Sequence, residues 1–110
     1  MLTETGQLLR IFIGESDKHE GKPLYEWLIR TAKQNGLAGA TVIRAMQGFG
    51  AHSQIHTAKI LDISTDLPII IEIVDGPEKI ESFLSQVEPI IQGGIATLEE
   101  IQICFYKPRT

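Results

Sequence analysis

Residues 67–84 read LPIIIEIVDGPEKIESFL, and this run decides the fold. Its first half is isoleucine-rich, and β-branched side chains favour the pleated state, so 69–74 reads as a strand. Asp75-Gly76-Pro77 stops that strand and starts a helix. Proline is tolerated at a first helical position because its missing N–H has no partner there. Glu78 then sits at the positive end of the helix dipole. Beyond it Ile80, Phe83, Leu84 and Val87 recur at helical spacing. Pro89 kinks or ends the helix, and Gln92-Gly93-Gly94 ends it outright. Within twenty residues the hydrophobic period changes from 2 to 3.6.

Working outward, the same two patterns recur. Residues 7–14 (QLLRIFIG) are short, apolar and bounded by glycine, which marks a first strand. The polar stretch 15–22 is a loop, and Pro23 again stands at a first helical position. Leu24, Trp27, Leu28, Thr31 and Ala32 form an amphipathic stripe, with Trp27 assigned to the core, and Asn35-Gly36 closes a helix over 23–34. Residues 39–47 (GATVIRAMQ) read as strand two. Residues 58–63 (AKILDI) are a further strand or the returning arm of a hairpin. Residues 101–106 (IQICFY) alternate as a last strand, between a lead-in over 1–6 and a short basic tail over 107–110.

Strand, helix, strand, strand, helix, strand is the βαββαβ order of an α+β, ferredoxin-like sandwich. Two helices should cover one face of a four-stranded antiparallel sheet. Alternate strand residues point to opposite sides. Leu9, Ile11, Ile13, Ile69, Ile71, Ile73, Ile101, Ile103 and Phe105 are therefore expected against the helices. The other face collects Leu8, Arg10, Phe12, Ile70, Glu72, Val74, Gln102, Cys104 and Tyr106. Strands one and three are neighbours in this order, so Arg10 is expected to pair with Glu72. The second face is about half apolar, too much to leave in water, and this predicts an oligomer.

The totals agree with one domain over 1–110. With 43% hydrophobic and 22% charged residues, the chain has an ordinary globular composition. A formal net charge of −4 excludes a general nucleic-acid binder, which needs a basic face. The longest apolar run, 67–71, is interrupted by Pro68 and falls far short of the ~20 residues that span a bilayer. No basic-then-apolar leader opens the chain, and Cys104 is its one cysteine, so a reducing cytoplasm is expected.

Function is sought in 46–59, MQGFGAHSQIHTAK, because its composition departs from scaffold. Gly48-Phe49-Gly50-Ala51 either shapes a loop or brings backbone N–H groups against a phosphate. No Gly-Lys-Ser/Thr follows, and no third glycine opens a helix, so it is neither of the common nucleotide fingerprints. His52 and His56 are four apart, a spacing that suits metal ligands on a helix, but no carboxylate or thiolate accompanies them. Exposed or nucleotide-contacting histidines are the alternative, and His19 is assigned to its loop. Cys104 is assigned to packing, and the serines lack a nucleophile context. Catalysis is not expected. Lys107 and Arg109 are either a solvated tail or cations placed near phosphates.

QGFGA after strand two, HTAKIL, LPIIIEIVDGPEKIESFL and the late glycine pair together resemble a family of PII-like proteins, domain of unknown function 190. The resemblance covers nearly the whole chain. It implies a ferredoxin-like subunit, a compact homotrimer, and clefts between subunits that hold an adenine nucleotide as effector, with no further cofactor. The family is similar to the PII signalling proteins, which move a flexible loop to act on a transporter or enzyme. Its members are associated by context with ion channels, particularly fluoride exporters, so a membrane transporter or channel is an implied partner. Gly48, Phe49, Gly50 and Ala51 match the base of the signalling loop. Gly93 and Gly94 match a turn that wraps phosphates, and Lys107 and Arg109 match a basic end that reaches the nucleotide. PII proteins carry Gly-Asp-Gly-Lys after helix two, whereas Gly93-Gly94-Ile95-Ala96 has no lysine. One countercharge fewer favours AMP or ADP over ATP. No tyrosine lies between Gln47 and Lys59, so tyrosyl uridylylation is not expected. The rival expectations are a metal-binding trimer of the copper-tolerance type using His52 and His56, and a small phosphate-ester hydrolase.

Overall fold

The structure, a computed structural model, describes residues 4–49 and 66–109. Its elements are β1 (Glu4–Gly14), β2 (Lys18–His19), β3 (Lys22–Pro23), α1 (Leu24–Gln34), β4 (Thr41–Arg44), β5 (Pro68–Asp75), α2 (Pro77–Val87) and β6 (Ile95–Ile103). The main sheet runs β4-β5-β1-β6, with every neighbouring pair antiparallel. The tiny β2–β3 ladder occupies the stretch expected as plain loop and takes in Pro23, which caps α1 and is not its first helical residue. With two helices on the sheet, this is the ferredoxin-like α+β architecture expected from the sequence. The reading of 58–63 as a strand or hairpin arm lies outside the described residues.

Alternation in β1 and β5 sets the core. Leu9, Ile11, Ile13, Ile69, Ile71 and Ile73 are buried on the helix side. In α1, Leu24, Leu28, Thr31 and Ala32 face them, and in α2 Ile80, Phe83 and Val87 do. Trp27 packs at the margin, its ring edge-on to His19 with centroids 4.9 Å apart. Helix α1 closes as Asn35-Gly36 predicts. Gly36 N–H donates to Lys33 O at 3.1 Å and Leu37 N–H to Ala32 O at 3.2 Å, the paired bonds that satisfy a helix's last carbonyls. Helix α2 begins with Gly76 as its cap and Pro77 as its first residue. Asp75 steadies this start, accepting Gly76 N–H at 2.7 Å and, with its other oxygen, Ala38 N–H at 2.9 Å. That second bond ties the α1–β4 loop to the end of β5.

The last strand departs from expectation. β6 begins at Ile95 rather than 101, and Phe105 and Cys104 lie beyond its end. Its register with β1 pairs Leu9 with Leu98 and Gly6 with Ile101. Opposed residues share a face, so Leu98 and Ala96 belong to the helix side. Ile101 and Ile103 belong to the side of Leu8, Arg10 and Phe12. The face assignments of Ile101, Ile103 and Gln102 are therefore corrected, and Phe105, beyond the end of β6, is exposed and not part of the core. The physical reason is that a one-residue shift of register moves every side chain across the sheet. The correction enlarges the apolar surface that no helix covers. Leu8, Phe12, Ile43, Ile70, Ile101 and Ile103 now share it, and Ile43 is 40% exposed.

Candidate functional site

Two ends of the sheet must be distinguished. Gly14, Pro68, Arg44 and Ile95 mark one end, and Glu4, Asp75, Thr41 and Ile103 lie toward the other.

At the first end stand the glycines singled out in the sequence. Gly48 follows β4 with φ 151°, and a Cβ there would meet Pro68 Cγ at 3.1 Å. Gly94 precedes β6 with φ 145°, and a Cβ there would run into the Phe12 carbonyl oxygen. Both positions require glycine for chain geometry, whatever else they do. Gly93 is half-buried beside Gln92, and Phe49 is 66% exposed. The structure thus brings Gly48–Phe49 and Gly93–Gly94 to one end of the subunit, on the β5 and β1 sides respectively. Glu15 and Arg44 pair nearby at 2.9 Å, and Asp66 accepts Ser16 N–H at 2.8 Å. Gly50, Ala51, His52 and His56 lie outside the described residues. Among the described residues no group of three or more His, Cys, Asp or Glu side chains is placed to hold a metal.

Lys107 and Arg109 are at the other end. They follow β6, whose eight residue steps set Ile103 roughly 26 Å from Ile95, the residue after the glycine turn. Both are exposed, and Lys107 Nζ stands 5.1 Å from the centre of the Phe105 ring. A mononucleotide held at the Ile103 end of β6 does not span to the glycine turn at the Ile95 end of the same chain.

Beside the tail lies a groove of about 730 Å³. Leu8, Thr41, Glu72, Val74 and Ile103 form its floor, and Ala38, Lys79, Phe105 and Tyr106 are on its walls. These floor residues belong to the sheet face left bare by the helices, so the groove opens onto that face. The size and mixed lining suit a base and sugar. Its charged side chains are mostly acidic: Glu4, Glu72 and Asp75 against Lys79, whose ammonium already donates to Gly36 O at 2.9 Å. Such a lining accepts hydrogen bonds from neutral donors and repels phosphate. Sequence reasoning missed the groove. The outward parity of Glu72 and Val74 was legible, but not the loop folding beside them.

Further up the same face Arg10 bridges two carboxylates. Its Nε meets Glu72 Oε2 at 2.9 Å, as expected, and a terminal nitrogen meets Glu99 Oε1 at 2.6 Å, an addition. The hydrogen bond to Glu72, then that to Glu99, raise the Arg10 pKa above its already high value.

A ferredoxin-like sheet with this strand order and an open apolar face is the fold of PII-like proteins. CPII from Thiomonas intermedia K12, bound to ADP, AMP and acetate, is similar with a TM-score of 0.68 and 17% identity. That likeness covers 94% of this chain and 92% of CPII. A second CPII structure, described as a nitrogen regulatory PII-like protein bound to ADP, AMP and bicarbonate, gives 0.68 and 18%, over 93% and 91%. A UPF0166 protein of Aquifex aeolicus is 40% identical over 99 residues, 90% of this chain and 93% of its own. The family model for domain of unknown function 190, "Uncharacterized ACR", matches residues 6–103. The chain belongs to that family.

Proposed function

We propose that this protein is a PII-like regulator, not an enzyme, that binds AMP or ADP in clefts between the subunits of a cytoplasmic homotrimer. The observation that carries the reading is the division of the site along one chain. The acidic groove and basic tail are at one end of the sheet and the glycine turns at the other, so a ligand touching both must lie between two copies. Head-to-tail contacts that close into a ring meet this need. The bare sheet face supports it, because a second copy covering that face also roofs the groove. The nucleotides in CPII support the choice of ligand class. The nucleoside end belongs in the acidic groove, and the phosphates belong against Lys107 and Arg109 with Gly93 and Gly94 of the next subunit. No lysine follows the glycine pair, which favours AMP and ADP over ATP. The 47–58 segment is the proposed signalling surface, read by a partner such as a membrane transporter or channel. Among the described residues no helix is long and apolar enough to cross a membrane.

Isothermal titration with AMP, ADP and ATP tests this reading. Micromolar binding of AMP or ADP is expected, weakened about tenfold for each of Lys107→Ala and Arg109→Ala, as for a lost charge-assisted hydrogen bond. Absence of adenine-nucleotide binding, or turnover of the nucleotide by the pure protein, overturns it.

A further inference from the structure

Glu72 takes part in two features at once. It lines the groove, and it holds Arg10 on the bare sheet face. Arg10 in turn holds Glu99, so the network ties β5, β1 and β6 together in the middle of that face. Two carboxylates share one guanidinium, leaving an excess negative charge among Leu8, Phe12, Ile70 and Ile101. Glu72 uses Oε2 for Arg10, and its Oε1 has no partner among the described residues. The Arg10 and Glu72 side chains are about one-third exposed and Glu99 is 58% exposed, so water now solvates the excess charge.

We propose that the Arg10–Glu72–Glu99 network couples the groove to self-association of the chain, so that ligand in the groove tightens the assembly. The inference rests on the nucleotide reading above. When a second copy covers the face, the network loses water, and an excess carboxylate is costly to desolvate. A nucleoside brings neutral donors, its ribose hydroxyls and exocyclic amine. A donor placed on Glu72 Oε1 replaces the water that assembly removes, so the covered state loses less when the groove is filled. The ligand thereby gains a differential affinity for the assembled state, which a population shift requires. Linkage makes the effect reciprocal: assembly tightens ligand binding by the same factor. Arg10 is the coupling residue. Without it Glu72 and Glu99 are unpaired like charges on either side of β1, on a face that must be buried. Glu99 sets the size of the coupling, because without its charge the network is neutral.

The test is sedimentation velocity over a dilution series, with and without saturating ADP. For the wild-type chain, ADP is expected to lower the subunit dissociation constant about tenfold. Glu99→Gln neutralises the network without touching the groove. It is expected to assemble several-fold more tightly without ligand, and its ADP shift should fall to about twofold. Arg10→Met should dissociate at least about tenfold more readily without ligand. Where the assembly stays whole at every accessible dilution, the dependence of the urea midpoint on protein concentration carries the same comparison. An intact ADP titration with no shift in wild-type assembly overturns the coupling alone, as does a Glu99→Gln variant with the full shift. Failure of the wild-type chain to bind ADP overturns the nucleotide reading and the coupling with it.

Discussion

Phe83→Ala is expected to lower the stability of the fold by about 3–5 kcal/mol, as for a buried aromatic truncated in a core. Phe83 is fully buried, on the α2 stripe beneath Ile80 and Val87, and belongs to the cluster with Leu9, Ile11, Ile71 and Ile73. Truncation removes the ring's contacts with both the sheet and α1, and the closely packed surroundings relax only partly into the space left. Phe105→Ala is the contrast: that ring is 72% exposed, and its loss should change subunit stability by under about 0.5 kcal/mol. Urea denaturation of both variants at one fixed protein concentration checks the pair. Fixing the concentration matters because self-association adds a mass-action term to any midpoint. Equal midpoints for the two variants would show that the core has been assigned to the wrong face.

Gly94→Val is expected to cost on the order of 3 kcal/mol, from a left-handed backbone forced on a branched residue and a Cβ driven into β1. The obstacle is the Phe12 carbonyl oxygen, a backbone atom that cannot swing aside as a side-chain end would. Either the 93–94 turn lifts off the sheet or the first pairs of β6 open. Gly93 has no positive φ, so Gly93→Ala should be close to neutral for stability. The comparison, again by urea midpoint, separates the two members of a pair that look alike in sequence. Gly94 holds the turn against β1, which leaves Gly93 as the better position for probing ligand contact without unfolding the protein.

Much of this architecture was legible in the residues. The change of period inside LPIIIEIVDGPEKIESFL located β5 and α2 to within a residue or two, because isoleucine alternation and proline placement act locally. Asn35-Gly36 likewise marked the end of α1. The Arg10–Glu72 pair followed from strand order and parity alone. β6 was harder. Ile101, Ile103 and Phe105 alternate as a core strand would, but its face is decided by register against β1, a long-range pairing that Ile95–Glu100 help to set. The groove was hidden for a related reason. Its walls come from the α1–β4 loop, the Asp75 turn and residues 105–106, segments far apart in sequence that meet only once the sheet has formed. The glycines were recognised as unusual, yet whether a glycine serves geometry or a ligand depends on what its missing Cβ would strike. For Gly48 and Gly94 the answer is Pro68 and Phe12.

The most direct test of a site shared between subunits is a mixing experiment with two variants, each damaged at a different end. Gly93→Asp places a carboxylate where the phosphates are proposed to lie, and Lys107→Glu with Arg109→Glu reverses the charge of the tail. Each variant alone should fail to bind ADP. The two unfolded together and refolded as a random mixture should regain binding at about a quarter of the sites, since each site needs an intact glycine turn from one subunit and an intact tail from its neighbour. Recovered ADP binding in the mixture, read by isothermal titration, is the predicted result. No recovery in mixed assemblies, or full binding by either variant alone, would contradict a nucleotide held between subunits.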